Sequence, residues 1–151
     1  MSHTAFRILF PEIAEKETRV INIISKKVTG LPLGVYAFME YYCTDLDCDC
    51  RNVFIHVMHL ESGNLFAIIS YGWESIEFYK DWMYGEDNEF VLNNFKGPAL
   101  AAMQRQSQFA NGWLEMFKEI IDTDKDYADR LERHYHLVKT ALGNKKLQIP
   151  D

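Results

Sequence analysis

The chain has no cysteine outside positions 43 to 50, and no apolar run approaches the ~20 residues that span a bilayer. It is also short of positive charge, with 16 Lys and Arg against 22 Asp and Glu and a formal charge of −6. Each absence excludes something. Without an apolar span no membrane partner is expected. Lys26-Lys27 and Lys145-Lys146 are the only small basic pairs, so the clustered Lys/Arg footprint of a nucleic-acid surface is missing. No Gly-rich phosphate loop, His-Glu-x-x-His pair or Gly-x-Ser-x-Gly elbow occurs, which removes the commonest motif-bearing enzyme classes. Met1 to Phe10 lacks a basic region followed by an apolar core, so a cytoplasmic, reducing setting is expected, in which disulfides are uncommon. No internal repeat or low-complexity segment is visible.

What is present is an ordinary globular composition, 48% hydrophobic and 25% charged, over 151 residues. That length predicts a single domain, 1–151, able to build a core without help from a metal. The three cysteines then stand out, because Cys43, Cys48 and Cys50 fall within eight consecutive positions between two apolar runs. Thiolates at C-x4-C-x-C spacing can reach one ion, and Zn²⁺ is the expected guest in a reduced compartment. A Cys48 to Cys50 disulfide would close a very small strained ring, and pairing either with Cys43 leaves an odd thiol. Three unrelated structural thiols would rarely sit among so many charged neighbours. A redox role needs a depressed thiol pKa, which Asp45, Asp47 and Asp49 oppose unless a cation is bound.

A fourth ligand is not evident. His56 lies six residues beyond Cys50, about 20 Å along a strand at ~3.3 Å per residue, too far for a Zn–N bond. The candidates are a loop carboxylate (Asp45, Asp47 or Asp49), water, or one of His134 and His136, which a helix places about 200° apart. Arg51, directly after the third cysteine, is expected either to offset the negative charge of a three-thiolate centre or to pair with Asp49.

Tyr42-Cys43 with Cys48-Asp49-Cys50-Arg51, followed by a Val/Ile-rich strand and Ile69-Ser70-Tyr71-Gly72-Trp73, resembles a group of bacterial proteins carrying a Tyr-Cys…Cys-Asp-Cys-Arg segment and an Ile-Ser-Tyr-Gly-Trp segment. Some members of that group end in a zinc motif like that of the SecA translocase, whereas this chain has no cysteine after Cys50. The resemblance covers positions 41 to 75 and implies a shared fold and a shared zinc loop, without an activity.

The pattern along the chain predicts an α+β fold, an antiparallel meander of about four strands in the N-terminal half packed by three or four helices from the C-terminal half. Met1 to Lys16, with Phe6, Ile8 and Phe10 alternating before Pro11, reads as an edge strand or docked arm. A β-rich stretch from Thr18, a loop over Thr29 to Gly34, and strands near 35–42, 52–60 and 65–71 follow, the last two joined by a turn at Ser62-Gly63. The strands are apolar on both parities, so two covered faces are expected, as is self-association into a homodimer. Ser75 is an N-cap for a helix over 76–84 that Gly85 stops. Residues 85–94 read as a surface loop, Pro98 opens a helix running to Asp122 with Gly112 as a break, and Thr123 with Asp126 caps a last helix, ended by Gly143, whose apolar stripe is Tyr127, Leu131, His134 or Tyr135, Val138 and Leu142.

Other chemistry is weaker. His56 and His59 lie on opposite strand faces and so do not act together. Trp73, Phe78, Tyr79, Trp82 and Tyr84 read as core or an oligomer face before a ligand groove, and Glu74, Glu77 and Asp81 as a solvated helix face. The sequence therefore predicts a binding or adaptor module with a structural Zn²⁺ at Cys43, Cys48 and Cys50, its partner a protein or small molecule. A zinc-dependent hydrolase with water as fourth ligand, or a thiol redox sensor, is the alternative.

Overall fold

The computed structural model describes residues 2–148, with side chains as far as Gly143. The basic pair Lys145-Lys146 lies outside the described side chains. The chain runs β1 (His3–Ala5), α1 (Phe6–Leu9), α2 (Pro11–Glu17), β2 (Arg19–Ile23), α3 (Lys26–Thr29), β3 (Gly34–Cys43), β4 (Asn52–His59), β5 (Leu65–Gly72), α4 (Ile76–Trp82), α5 (Glu89–Lys96), β6 (Ala99–Leu100), α6 (Ala110–Thr123) and α7 (Lys125–Gln148). This is the expected α+β class, with C-terminal helices packed on an antiparallel sheet, although α1 to α3 are interleaved with the first strands and β6 follows α5. Among the described residues the strands form one six-stranded antiparallel sheet in the order β1-β3-β4-β5-β6. Strand β2 pairs with the first half of β3 and β1 with its end, so both flank the same side of it.

The meander forms because strands β3 to β5 alternate strictly enough to give one face that is apolar but for Glu40. Tyr36, Phe38, Tyr42, Val53, Ile55, Val57, Ala67, Ile69 and Tyr71 are all buried there. Helices α6 and α7 cover it with Trp113, Phe117, Tyr127, Leu131, Tyr135 and Val138, each at three- or four-residue spacing on its helix. The opposite face is not fully covered as expected. Met39, Tyr41, Phe54, His56 and Met58 remain half-buried there. Helix α5 packs only at its β5 end, where Asn52 Nδ2 donates to the Phe95 carbonyl (2.6 Å) and to Ser70 Oγ (3.2 Å).

Several boundaries differ from the sequence pattern for local reasons. The N-terminal arm is β1 and two short helices, because Phe6 and Phe10 stack at helical spacing while Ile8 faces outward, and Pro11 starts α2 at a position where no amide donor is needed. Residues 85–94 are not all loop. Asn88 Oδ1 accepts from the Phe90 and Val91 amides and caps α5, a signal hidden by the polar composition around it. Pro98 does not open a helix: Ala99 and Leu100 pair with β5, and a Cβ on Gly97 would meet the Ser70 carbonyl, so only glycine allows that approach. Gly112 sits inside α6 without breaking it, Asp124 rather than Thr123 caps α7 through the Tyr127 amide, and α7 continues past Gly143. Ser75 caps α4 as expected, accepting from the Phe78 amide.

A buried polar clamp ties three of these elements together. His134 of α7, fully buried, places Nδ1 2.6 Å from Glu40 Oε1 of β3 and Nε2 2.7 Å from Glu17 Oε1 of α2. Tyr42 donates to the same Glu40 oxygen at 2.7 Å, and Phe6 stacks on the imidazole at 4.1 Å. His134→Ala leaves the buried Glu40 carboxylate short of a partner, and a loss of ~3–5 kcal/mol is expected in denaturant unfolding. The His134 hydrogen bond, with Arg133 beside it, also holds the Glu17 carboxyl below its ordinary value of 4.5. That contribution is complete above 4.5 and fades as pH falls through the lowered folded value, so acid destabilisation should be shallower in His134→Ala than in the parent. Equal acid slopes would show that the clamp does not couple to Glu17.

Candidate metal centre

The cysteine loop is built by the register of two strands. Tyr41 opposite Phe54 sets β3 against β4, so Cys43 closes one strand and Cys50 lies just before the other. Between them Asp45 makes a turn: its Oδ1 accepts from the Asp47 amide (3.0 Å) and its carbonyl from the Cys48 amide (3.2 Å). This brings Cys48 back toward the other two. The three Sγ atoms lie within 4.8 Å of one another, close enough to hold one metal ion. No disulfide forms. Cys43 and Cys50 are buried and Cys48 half-buried.

Burial, followed by the mutual effect of the other sulfurs, pushes the Cys48 and Cys50 thiols up, while Lys139 acts weakly the other way. Such thiols stay protonated at neutral pH unless a cation displaces the protons from sulfur, which is the opposite of what a redox or nucleophilic cysteine needs.

The loop is held from both sides. Lys139 of α7 donates to the Asp45 carbonyl (2.7 Å), and the Thr44 amide donates to the Ser2 carbonyl (3.0 Å), fixing the entry to the loop. Arg51 adopts φ 44°, an unusual left-handed conformation for a long side chain, and its backbone is gripped at both ends. Its amide donates to Tyr135 Oη (3.3 Å) and its carbonyl accepts from Tyr79 Oη (2.7 Å). Tyr79 reaches that carbonyl past Gly72, where any Cβ would collide with the phenol oxygen.

The Arg51 guanidinium forms a bidentate pair with Asp49 (3.0 and 2.9 Å), bonds Glu74 (3.3 Å), and lies over the Phe78 ring, 4.4 Å from its centre. Of the two readings of Arg51, the structure therefore shows the Asp49 pair. Tyr135 also donates to Asp49 (3.3 Å), and the arginine holds the Asp49 carboxyl below its usual range. The Arg51–Glu74 contact joins the cysteine loop to the Trp73-Glu74 segment at the start of α4.

The expected fourth ligands are not brought to the sulfurs. His134 is committed to Glu40 and Glu17, and among the described residues no His, Asp or Glu joins the three cysteines in one close group. His136 is exposed on α7. Asp45 is used in the turn and Asp49 by Arg51 and Tyr135. His56 stacks on Tyr41 (3.9 Å) on the half-covered face, where burial lowers its pKa to about 4. His59 bonds Ser62 Oγ (2.6 Å) and the Leu33 carbonyl (3.2 Å), a structural role in the turn.

Cys48 does line a cavity of about 350 Å³, together with Asp45, Asp47, Trp82, Met83 and Tyr84. A larger groove of about 750 Å³ between α3 and α6 lies elsewhere and brings no such cluster together among the described residues. Of the α4-region aromatics, Trp82 and Tyr84 line this cavity, and the others pack inward. Trp73 packs edge-on to Tyr135 (5.1 Å), Tyr79 is buried, and Trp82 stacks on Phe95 (4.9 Å).

Tyr135, Lys139 and Tyr79 were not identifiable as supports of the loop from the sequence. The only signal was the place of Tyr135 on the apolar stripe of α7.

Because Arg51 and Asp49 fix the backbone that carries Cys48 and Cys50, Arg51→Ala is expected to weaken metal retention against a chelator by ~10-fold or more while the unliganded fold persists. Equal chelator resistance in the variant and parent would return Arg51 to an ordinary surface role. Comparison of the chain with family models, curated proteins and solved structures finds no match, so the reading of this centre rests on its own residues.

Proposed function

We propose that the protein is a zinc-binding α+β module in which Cys43, Cys48 and Cys50 hold one Zn²⁺ that fixes the β3–β4 loop, and that it acts by binding a partner rather than by catalysis. The observation that carries this reading is the convergence of three sulfurs within 4.8 Å on a loop also held by the Asp45 turn, Lys139 and Tyr135. Zinc is favoured by the all-sulfur donor set. Sets dominated by thiolates, Cys₄ and Cys₃His, are those of structural zinc, whereas catalytic centres more often draw on imidazole and carboxylate. The ion would supply the positive charge that lets three crowded thiols ionise.

A second reading, a zinc hydrolase with water at the fourth position, is supported by one feature, the cavity beside Cys48 that carries the Asp45 and Asp47 carboxylates. Three electron-donating thiolates weaken the ion as a Lewis acid, which places this reading second. The half-covered sheet face at Met39, Tyr41, Phe54 and Met58 supports self-association through a second copy, as expected of a sheet apolar on both sides. Light scattering at tens of micromolar should then give a mass above the monomer, and a strictly monomeric mass would remove that part of the proposal.

Protein purified without added metal or chelator is expected to contain close to one zinc per chain by elemental analysis. Cys48→Ser or Cys50→Ser should abolish retention, and binding should weaken as pH falls because protons compete with the ion for sulfur. Metal-free protein with an unchanged melting curve would overturn the proposal.

A further inference from the structure

The described residues bring three donors together, and a tetrahedral ion takes four. The side from which a fourth can arrive is set by burial. Cys43 and Cys50 are buried at 0% and 1% exposure, whereas Cys48 is half-buried and forms part of the cavity wall with Asp45, Asp47, Trp82, Met83 and Tyr84. The backbone on the other sides is held in place. The Asp45 turn is tied down by Lys139, and the Cys50 to Arg51 backbone is clamped between Tyr135 and Tyr79.

The charge around the cavity selects among ligands that could enter. Three thiolates and one divalent cation leave one net negative charge, and Asp45 and Asp47, both exposed at the mouth, add two more. Asp49 is neutralised by Arg51, and Lys139 adds one further cation, 2.7 Å from the Asp45 carbonyl. An anionic ligand therefore enters against like charge, while a neutral donor does not. Trp82 and Met83 give the wall an apolar, polarisable surface suited to a flat ring.

Resting on the zinc reading above, we infer that the fourth coordination position of this centre opens into the Trp82–Tyr84 cavity and takes a neutral nitrogen donor of the imidazole class from outside the chain. Binding forms one metal–nitrogen bond through the neutral imidazole lone pair and displaces a weak oxygen donor, with no proton or electron left over. The source is a free imidazole-bearing small molecule or a histidine side chain of a partner. An Asp- or Glu-bearing partner, a phosphate and a free thiolate all enter against the same negative field.

The test uses the full chain loaded with Co²⁺, whose visible spectrum reports the donor set. Three arms are titrated: free imidazole, a short blocked peptide containing one histidine between apolar residues, and inorganic phosphate. Imidazole and the peptide are expected to shift the ligand-field bands saturably, and phosphate is not. A peptide that binds more tightly than free imidazole identifies a polypeptide source, and equal affinities identify a small molecule. Asp47→Asn, at an exposed position that enters the turn through its amide, should reduce the preference for imidazole over phosphate several-fold without loss of the sulfur-to-metal charge-transfer band.

Absence of that band in the parent would overturn the zinc reading itself. The band present but ligand-field bands unmoved by imidazole and peptide would overturn this inference and leave the zinc reading standing. So would a nitrogen-donor spectrum already present in the chain alone and lost in His3→Ala, since His3 lies opposite Cys43 in the sheet and would then be the fourth ligand. A response to phosphate equal to that for imidazole would overturn the donor class.

Discussion

The antiparallel register of β3 against β4 is the constraint from which the site follows. With Tyr41 opposite Phe54, the hairpin must close over the residues from Thr44 to Arg51, and Cys43 and Cys50 arrive at the same end of the sheet. A slip of one residue would send every side chain of β4 to the other face. Such a slip is opposed by Val53, Ile55 and Val57, all fully buried under α6 and α7. The core thus fixes the register, and the register fixes two of the three sulfurs. The third is brought back by local turn chemistry at Asp45, which costs the core nothing.

The helices then decide how rigid the loop is. Tyr135 and Lys139 reach it from α7, Tyr79 from α4, and Arg51 connects Asp49 to Glu74 between them. Helix α7 is in turn pinned to the N-terminal arm and to β3 by His134 between Glu17 and Glu40. A polar clamp in the middle of the molecule and a sulfur cluster at its end are therefore connected through a single helix. Buried partners of this kind are costly to separate, so the clamp keeps α7, and the loop contacts it carries, in place.

Much of the fold was legible because the strongest sequence signals are local. Alternating apolar residues gave β3, β4 and β5, Ser75 gave the start of α4, and the stripe from Tyr127 to Val138 gave α7 with its buried side. Where tertiary contact overrode local pattern, the sequence misled. Phe6, Ile8 and Phe10 alternate like a strand, yet Phe6 is wanted against His134 and Tyr42, which a helical turn achieves. Pro98 looks like a helix opener, but Gly97 allows the chain to approach Ser70 and add β6. At the site the three cysteines were legible from spacing alone. Their support was not, because Tyr135, Lys139 and Tyr79 are far away in sequence and ordinary in type.

The central claim is that three thiolates of one loop hold a single zinc ion whose fourth donor is not sulfur. X-ray absorption at the zinc edge of the zinc-loaded chain measures this directly. Three sulfur neighbours at about 2.3 Å and one lighter neighbour at about 2.0–2.1 Å are expected. A shell of oxygen and nitrogen alone, or of four sulfurs drawn from two chains, would contradict it.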